Sequence, residues 1–264
     1  MIHTNMKIVV CIKQVPVTTV IKINPVTGTL IRDGVPSIMN PDDKGGLEMA
    51  LQLKDQYGAH VTVITMGPPQ ADAILREAYA MGADEAILLT GREFGGADTL
   101  ATSHTIAAAL KNLEYDLIIA GRQAIDGDTA QVGPQIAEHL GLPQISYVAG
   151  LEYKDGKFVV KKETEEGYQM LEVAGPVLLT ALASGFKARY MNVAGIVDAF
   201  DKPVAVWGVE KVDLPVEMLG LKGSGTKVYK SFTKGVKAAG EVHEVDAEQA
   251  VGLIVSKLKE KFII

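Results

Sequence analysis

The stretch "YDLIIAGRQAIDGDTAQVGPQIAEHLGLP", from Tyr115 to Pro143, joins an apolar run to a polar loop and then to a helical pattern. The run "YDLIIAG" (115–121) has consecutive apolar residues, which is typical of a strand buried on both faces. The loop after it is rich in glycine and aspartate, and it leads into a helix through "TAQVGPQIAEHL" (129–140). A strand, a loop and a helix in this order predict one half of a βαβ unit.

The same pattern recurs toward the N-terminus. The runs "KIVVCIK" (7–13), "HVTVITM" (60–66) and "EAILLT" (85–90) read as further buried strands. Between them, apolar residues follow helical spacing in "QADAILREAYAMGAD" and "ADTLATSHTIAAALKNL", with Gly82 placed to end the first helix and Asp98 or Thr99 placed to cap the second. This alternation predicts an α/β fold, a doubly wound and mostly parallel sheet with helices on both faces.

The pattern changes in the second half of the chain. The stretch "KFVVKKETEEGYQMLEVAGPVLLTAL" (157–182) reads as two or three short strands, and it predicts an antiparallel hairpin at the sheet edge. Beyond Pro203 the glycines are scattered until "VDAEQAVGLIVSKLKEKF" (245–262) forms a helix with an apolar stripe. We therefore expect an α/β domain over 6–202 and an extended C-terminal arm with a terminal helix over 203–264, the stripe docking on a partner chain.

Composition excludes several classes of protein. A chain of 264 residues with 47% hydrophobic residues can bury a full core, and its formal net charge of −6 argues against a general nucleic-acid binder. Cys11 is the only cysteine, so no internal disulfide can form and the expected compartment is cytoplasmic. No apolar run approaches the roughly 18 residues that span a bilayer, so no membrane insertion is expected.

The histidines and serines offer no recognisable catalytic arrangement. The five histidines lack metal-ligand spacing, and no serine lies in a nucleophile elbow. We therefore expect no metal and no catalytic side chain. His104 and His139 lie on predicted helices, where a surface or helix-packing role is expected rather than that of a base.

The loop 121–134 is the main candidate for ligand binding, because parallel sheets bind ligands where strands lead into helix N-termini. Gly121 and Gly127 let the backbone approach a ligand closely. Arg122 can pair with a phosphate, and Gln123 and Gln131 offer amides to a base, a ribose or a flavin.

The two aspartates of this loop are less suited to lie beside a phosphate. Asp128 or Thr129 can cap the following helix, and Asp126 and Asp128 are assigned to capping, loop bracing or hydroxyl contacts. The alternative is that the segment is an ordinary turn from strand to helix.

Two further segments and one cysteine are expected at strand ends in the same half of the chain. They are Thr65, Met66 and Gly67 after the second strand, Asn40, Pro41, Asp42 and Asp43 at the start of a helix, and Cys11 at the end of the first strand. Taken singly, each segment is more often a cap or a turn than a site, but together with the loop 121–134 they predict a nucleotide cleft. Neither a G-x-G-x-x-G fingerprint nor a Walker loop is present, which disfavours a standard dinucleotide or triphosphate site.

Several long motifs in register resemble one family. The stretches "VVCIKQV", "GTLIRDGVPSIMNPDD", "ITMGPP", "AYAMGADEAILL", "GRQAIDGDTAQVGP" and "VKKETEEGYQMLEVAGPVLLTA" make the chain similar, from Lys7 onward, to the beta subunit of electron-transfer flavoproteins. The resemblance implies an adenine-nucleotide-binding α/β domain in a heterodimer whose alpha subunit carries a flavin. The family's nucleotide contacts carry over onto Cys11, Asn40, Pro41, Asp42, Asp43, Met66, Gly121, Arg122, Gln123, Ala124, Ile125, Asp126, Gly127, Asp128, Thr129, Ala130, Gln131 and Val132.

The resemblance also bears on the cofactor. Ordinary members of the family hold AMP in the beta subunit, whereas electron-bifurcating members hold a second FAD there that reacts with NADH. The form "DGDTAQVGP", together with "VTGTLIRDGVPSIMNP" and the long C-terminal arm, resembles the bifurcating group, since ordinary members show "DDDxNQT" in place of the first of these. FAD is therefore the favoured cofactor, AMP is the alternative, and NADH is the expected electron donor. In the bifurcating group the chain is part of an NADH-dependent flavin oxidoreductase complex.

Partners are implied in the same way. The stretch "SGFKARYMNVAGIVDAF" (184–200) resembles the family's recognition loop for acyl-CoA dehydrogenases, with Arg189 and Tyr190 beside the apolar anchor Val193. Ferredoxin or flavodoxin is the expected low-potential acceptor. One departure is Val17, where bifurcating relatives have aspartate, and this puts in doubt a contact from that position to the partner flavin.

Two other functions remain open from the sequence. The chain could be a carrier subunit that binds AMP structurally and shuttles single electrons through the alpha-subunit flavin. It could also be a nucleotide-sensing domain without redox chemistry, against which the arm and the recognition-like loop argue.

Overall fold

The computed structural model describes residues 6–17, 36–227, 229 and 240–264, and within these ranges it contains eleven strands and seven α-helices. The strands are β1 (Lys7–Cys11), β2 (Gln14–Pro16), β3 (Ser37–Met39), β4 (His60–Met66), β5 (Glu85–Leu89), β6 (Leu117–Gly121), β7 (Gln144–Lys154), β8 (Lys157–Thr164), β9 (Gly167–Val173), β10 (Val177–Ala181) and β11 (Ala205–Trp207). The helices are α1 (Pro41–Tyr57), α2 (Asp72–Met81), α3 (Thr99–Leu110), α4 (Val132–Leu140), α5 (Val193–Asp201), α6 (Gly220–Gly223) and α7 (Ala247–Glu260).

A large sheet organises the fold. Its strand order is β11-β5-β4-β1-β6-β10-β7-β8-β9, and β2 pairs with β3 separately. The pairings from β11 to β7 are parallel, whereas β8 and β9 add antiparallel strands at one edge. The predicted mostly parallel sheet and its antiparallel edge hairpin are therefore confirmed.

Helices cover both faces of the sheet, as predicted. Successive side chains of a strand point to opposite faces, so Ile8 and Val10 join the core beneath α1 and α2. Val9, between them, joins the second core with Ile118 and with residues of α3 and α4. These two apolar layers position the strand ends at the edge where the candidate site lies.

Helix termini follow the local signals in the sequence. Helix α2 ends at Gly82, which has φ 128°, a backbone angle that only glycine adopts readily. Asp98 caps α3 by accepting a hydrogen bond of 3.0 Å from the backbone N–H of Ala101. Both termini were predicted, and both are confirmed.

Two strands lie where local patterns did not place them. Strand β10, the third apolar run of the predicted edge segment, lies fully buried between β6 and β7. Strand β11 pairs in parallel with β5 at the opposite edge, with Ala205 opposite Ile87. No sequence pattern predicted β11, because it contains only three residues and two of them are exposed.

The chain divides into two compact units, residues 1–229 and 230–264. The first unit thus includes residues 203–229, which sequence patterns assigned to the arm. In the second unit, α7 is the predicted terminal helix, and Asp246 caps it by accepting a hydrogen bond of 2.8 Å from Gln249 N–H. Residues 18–35 lie outside the described residues, as do 230–239, so the first half of "GTLIRDGVPSIMNPDD" and part of the expected arm are not described.

Candidate functional site

Three predicted parts of the site meet at the carboxyl edge of the parallel sheet. They are Cys11, the loop after β6 and the start of α1. Cys11 ends β1, where it pairs with Ile64 of β4 and Ala120 of β6. The loop after β6 and the start of α1 meet at this edge, through the hydrogen bonds described next. The structure therefore brings together most of the residues that the sequence suggested for nucleotide binding.

Asp43 is a buried junction between three elements. Its carboxylate accepts hydrogen bonds from the backbone N–H of Lys13 (2.8 Å) and of Gly121 (3.0 Å). Burial raises the pKa of Asp43 to about 7, although hydrogen bonds from the Asn40 side chain and from those two backbone groups oppose the shift. Asp43 thus joins α1 to the ends of β1 and β6.

Close packing against Asp43 requires a glycine at position 121. A Cβ at this position would overlap the carboxylate of Asp43 and stand 2.7 Å from its backbone nitrogen. The close approach that the sequence suggested is therefore an approach to Asp43. At Gly127, by contrast, a Cβ would meet nothing within 4 Å.

Asn40 ties the loop after β6 to helix α1. It is fully buried, and its side chain makes no capping bond to its own helix. Instead Nδ2 donates to the carbonyl of Gln123 (2.8 Å), and Oδ1 accepts from the backbone N–H of Ile125 (3.1 Å). One amide therefore fixes two points of the loop.

The two loop aspartates have intramolecular partners. The ammonium group of Lys13 lies 2.7 and 2.9 Å from the carboxylate oxygens of Asp126, whose side chain is 8% exposed. Asp128 accepts a hydrogen bond of 2.9 Å from Gln123 Nε2. Both aspartates therefore brace the loop, one of the roles that the sequence suggested.

Helix α4 begins later than the sequence suggested. Asp128 or Thr129 was expected to cap it, but the helix starts at Val132 with Gln131 in the cap position. Left-handed backbone angles at Asp128 (φ 49°) and Ala130 (φ 53°) turn the chain before the helix, which places both expected caps too far from its first N–H groups.

The start of α4 has the character of an anion site. Within the described residues, no side chain caps this helix, so its first N–H groups are available together with the positive end of the helix dipole. Gln131 Oε1 accepts a hydrogen bond of 2.8 Å from the Thr99 hydroxyl, which ties this side chain to the start of α3.

Arg122 lies between two side chains of the same edge. Its Nε is 3.4 Å from Asp42 Oδ2, and its guanidinium carbon is 5.9 Å from the centroid of the Tyr147 ring. Tyr147 has a left-handed φ of 60°, a strained value for a non-glycine residue, and it is partly exposed. Asp42 also accepts a hydrogen bond of 2.9 Å from the backbone N–H of Ala183.

Sequence reasoning did not single out Lys13 or Tyr147. Lys13 carried a usable signal, because a lysine directly after a buried strand lies at the carboxyl edge of a parallel sheet. Tyr147 carried none, since it lies within an apparently regular strand and only its backbone angle distinguishes it.

The predicted residues at the ends of β1 and β4 are buried or half-buried. Burial, with a smaller contribution from Asp43, raises the pKa of Cys11 to about 12, so its thiol stays neutral and is not a nucleophile. Thr65 is also buried, and its hydroxyl has no hydrogen-bond partner within the described part of the chain. Met66 is half-buried, and Gly67 N–H donates to the carbonyl of Leu89 over 3.1 Å.

The residues of the recognition-like segment 184–200 divide into two kinds. Tyr190 and Val193 are 93% and 81% exposed. Arg189 is partly buried, and its guanidinium binds the carboxylates of Glu48 and Asp55. Arg189 therefore has intramolecular partners, whereas the other two side chains face outward.

The carboxyl edge offers groups of the kind that bind phosphate. The helix start without a side-chain cap supplies N–H donors, Gly127 leaves open space, and Lys13 compensates the charge of Asp126. Within the described ranges, no three His, Cys, Asp or Glu side chains are grouped so as to hold a metal ion. No helix of those ranges is long and apolar enough to cross a bilayer.

Comparison with known proteins identifies the family. The electron transfer flavoprotein domain matches residues 27–212. This chain belongs to the electron transfer flavoprotein family. The "Electron transfer flavoprotein subunit beta" of Clostridium acetobutylicum is 61% identical over 259 residues, which cover 98% of this chain and all of the relative.

Two other relatives carry more specific names. The "Caffeyl-CoA reductase-Etf complex subunit CarD" of Acetobacterium woodii is 52% identical over 262 residues, covering 98% of this chain and all of the relative. The "Acryloyl-CoA reductase electron transfer subunit gamma" of Anaerotignum propionicum is 46% identical over 268 residues, with the same coverage of each. The chain is thus a beta subunit of an electron transfer flavoprotein, which acts in electron transfer with an alpha subunit as its partner.

Proposed function

We propose that this chain binds FAD at the carboxyl edge of its sheet, receives a hydride there from NADH, and bifurcates the two electrons. One electron would pass toward ferredoxin or flavodoxin, and the other through the FAD of the alpha subunit to an acyl-CoA dehydrogenase or a related flavin dehydrogenase. The names of the relatives from A. woodii and A. propionicum support this proposal, since one is named a subunit of a caffeyl-CoA reductase-Etf complex and the other an electron transfer subunit of acryloyl-CoA reductase.

Gly127 is the observation that carries the choice of FAD over AMP. Ordinary members, which hold AMP, have the form "DDDxNQT" where this chain has "DGDTAQV", so Gly127 stands in place of an aspartate. The position is exposed and its missing side chain would face open space. Loss of one carboxylate beside the helix start reduces repulsion, and this matters more for the diphosphate of FAD than for a single phosphate.

The residues around the loop have separable roles. The guanidinium of Arg122 and the backbone N–H groups of 126–132 would hold the pyrophosphate, with Gln123 and Gln131 as further hydrogen-bonding groups. Within this loop, the N–H groups of Gly127 and Asp128 already donate to the carbonyl of Ala124, so the contacts would come from the others. When bound, the isoalloxazine ring supplies hydride acceptance and one-electron transfer, chemistry for which no side chain here is suited. The buried side chains of Asn40 and Asp43 hold the loop 121–134 in place.

The partners would meet other surfaces. We expect the apolar stripe of α7, formed by Ala250, Leu253, Ile254 and Leu258, to dock on the alpha subunit, since none of these side chains is buried within the described residues. The exposed Tyr190 and Val193 would contact the dehydrogenase. Val17 is exposed and cannot supply the carboxylate that bifurcating relatives have at this place, so a contact from it to the partner flavin is not expected.

Ligand content tests the proposal directly. The chain would be purified with its alpha subunit, the complex denatured, and FAD and AMP quantified per heterodimer by chromatography. Two FAD and no AMP are expected. The undenatured heterodimer, supplied with an acyl-CoA dehydrogenase and an enoyl-CoA to take the second electron, should then reduce ferredoxin with NADH. One FAD and one AMP would refute the bifurcating proposal and leave the single-electron carrier.

A substitution tests the role of Gly127. Gly127→Asp should lower FAD content relative to AMP, because it restores the carboxylate of the ordinary pattern. Thr129→Asp is the control, since it adds the same charge at an exposed position of the same loop. An equal loss of FAD in both variants would show a general charge effect and would remove the argument from Gly127.

A further inference from the structure

The segment from Ala183 to Pro203 leaves β10 and crosses helices α1 and α2 before it enters β11. Its two ends are held by polar contacts. At the far end, Arg76 of α2 donates to the carbonyls of Ala199 (2.7 Å) and Lys202 (2.6 Å). Tyr79 of the same helix donates to the carbonyl of Pro203 (2.6 Å).

At the near end, Ala183 N–H donates to Asp42 (2.9 Å), and Arg189 makes four further hydrogen bonds. The backbone N–H of Arg189 donates to Glu48 Oε2 (3.1 Å), and Nε donates to the same oxygen (2.9 Å). Its Nη2 donates to Glu48 Oε1 (3.1 Å) and to Asp55 Oδ2 (2.7 Å). Both carboxylates belong to α1, so the guanidinium group of Arg189 binds two side chains on one face of this helix.

Glu48 differs from Asp55 in its exposure. The Glu48 side chain is 6% exposed, whereas that of Asp55 is 60% exposed. A buried carboxylate needs a paired cation, and the Glu48 carboxylate raises the pKa of Arg189 above its usual range. Glu48 is too deeply buried to touch a partner protein itself.

The outward side chains lie between these two anchors. Tyr190 follows Arg189 directly, and Val193, Val197 and Phe200 lie on the exposed face of α5, each about one turn apart. Their side chains contribute little to holding the segment, because they face outward. The position of this apolar surface therefore depends on the polar anchors beside it and on Phe186 and Ala199, the two side chains of the segment that are buried in the core.

We infer that Arg189 is a positioning residue, which fixes the docking surface of 184–200 to helix α1 through Glu48 and does not itself contact the dehydrogenase. This inference rests on the proposed docking of 184–200. It assigns Arg189 a different task from Tyr190 and Val193, with which the sequence grouped it. The same helix carries Asn40 and Asp43 at its start, so α1 also connects the docking surface to the nucleotide edge.

Steady-state kinetics with a short-chain acyl-CoA dehydrogenase, first shown to exchange electrons with the wild-type heterodimer, test this role. Arg189→Gln and Glu48→Gln should both raise KM for the dehydrogenase about fivefold with kcat unchanged, and the double variant should match the single variants. Arg189→Lys should rescue part of the effect, because it keeps the charge and loses the fork.

Hydrogen exchange of residues 184–191 gives a readout that needs no dehydrogenase. Exchange there should quicken in Glu48→Gln and Arg189→Gln while FAD content stays at the wild-type level. Wild-type KM and exchange in Glu48→Gln, with a raised KM in Arg189→Gln, would overturn the inference and make Arg189 a direct contact.

Val193→Asp separates the inference from the proposed docking. This variant should raise KM without changing the exchange of 184–191. An unchanged KM in Val193→Asp would refute docking through this segment, while the exchange experiment would still decide whether Glu48 anchors Arg189. Asp55→Asn, a milder change at an exposed residue, should give a smaller rise in the exchange of 184–191. Unchanged exchange in Glu48→Gln, Arg189→Gln and Asp55→Asn alike would overturn the inference that Glu48 anchors Arg189.

Discussion

Lys13 and Asp126 form an ion pair across 113 positions of sequence, with both carboxylate oxygens within hydrogen-bonding distance of one ammonium group. The pair is asymmetric, because the Lys13 side chain is 45% exposed and that of Asp126 is 8% exposed. It joins the end of β1 to the loop that leads into α4.

This asymmetry predicts unequal effects of removing each partner. Lys13→Met should lower the free energy of unfolding by about 1–3 kcal/mol, since it leaves a buried carboxylate unpaired. Asp126→Asn should cost less than about 1 kcal/mol, because water solvates the freed lysine. Urea denaturation measures both changes, and a larger loss in Asp126→Asn would contradict the prediction.

Gly121 and Gly127 should respond oppositely to the same substitution. Gly121→Ala should destabilise the protein by about 3 kcal/mol or more, because the new Cβ overlaps Asp43. Gly127→Ala should change stability by no more than about 0.5 kcal/mol, since its Cβ meets nothing within 4 Å. Thermal unfolding of both variants checks the pair, and similar melting temperatures would disprove it.

Asp43 should bind a proton near neutral pH. Its pKa is about 7 in the folded chain, against an ordinary value of 3.8, so the folded state binds more protons between these values. This group therefore makes the free energy of unfolding fall as pH rises from about 4 to about 7, with no further change above. The ¹³C shift of its carboxyl carbon should titrate near pH 7, and a midpoint below pH 5 would refute the prediction.

His139 should show the opposite dependence. Burial lowers its pKa, with a further contribution from His104, whose ring centroid lies 4.0 Å away. Ser103 donates its hydroxyl proton to the carbonyl of Leu100, so the contact of 3.1 Å between Ser103 and His139 requires His139 Nε2–H as donor. The stability that the neutral ring provides is present above pH 6.5 and is lost as pH falls through the lower folded pKa.

Substitution of the neighbouring ring tests this contribution. His104→Gln should raise the NMR titration midpoint of His139 toward 6.5 without reaching it, because burial remains. Glu138 and Lys111 also act on this ring, in opposite directions, and neither is changed by the substitution. An unchanged midpoint would show that His104 has no part in the shift.

Local patterns predicted the elements that depend on local physics. The apolar runs gave β1, β4, β5 and β6, and Gly82 and Asp98 marked helix ends, because strand burial and helix capping are both encoded within a few residues. The place of β10 was missed because it depends on pairing with strands distant in sequence. The short β11 had too few residues to carry a pattern.

The candidate site was predictable in outline and less so in its contacts. The loop after β6 lies at the carboxyl edge because β6 is a strand of the predicted parallel sheet. Asn40 and Asp43 follow β3, which pairs with β2 in a separate two-stranded sheet, so their place beside that loop depends on tertiary hydrogen bonds. The pairing of Lys13 with Asp126 required the folded structure, since neither residue shows its partner in the sequence. The burial of Asp43 and the ion pair between Glu48 and Arg189 likewise required the folded structure.

Strand β11 also bears on how the chain is made. Its partner β5 is synthesised far earlier. Ile87 can pair with Ala205, and Thr90 N–H can donate to the carbonyl of Trp207, only after the crossing segment has emerged from the ribosome. Until then β5 is an open edge with unpaired backbone groups. A nascent or truncated chain that ends near residue 200 therefore exposes the unpaired edge of β5. During synthesis, the tendency of the chain to aggregate depends on how fast β11 pairs with this edge.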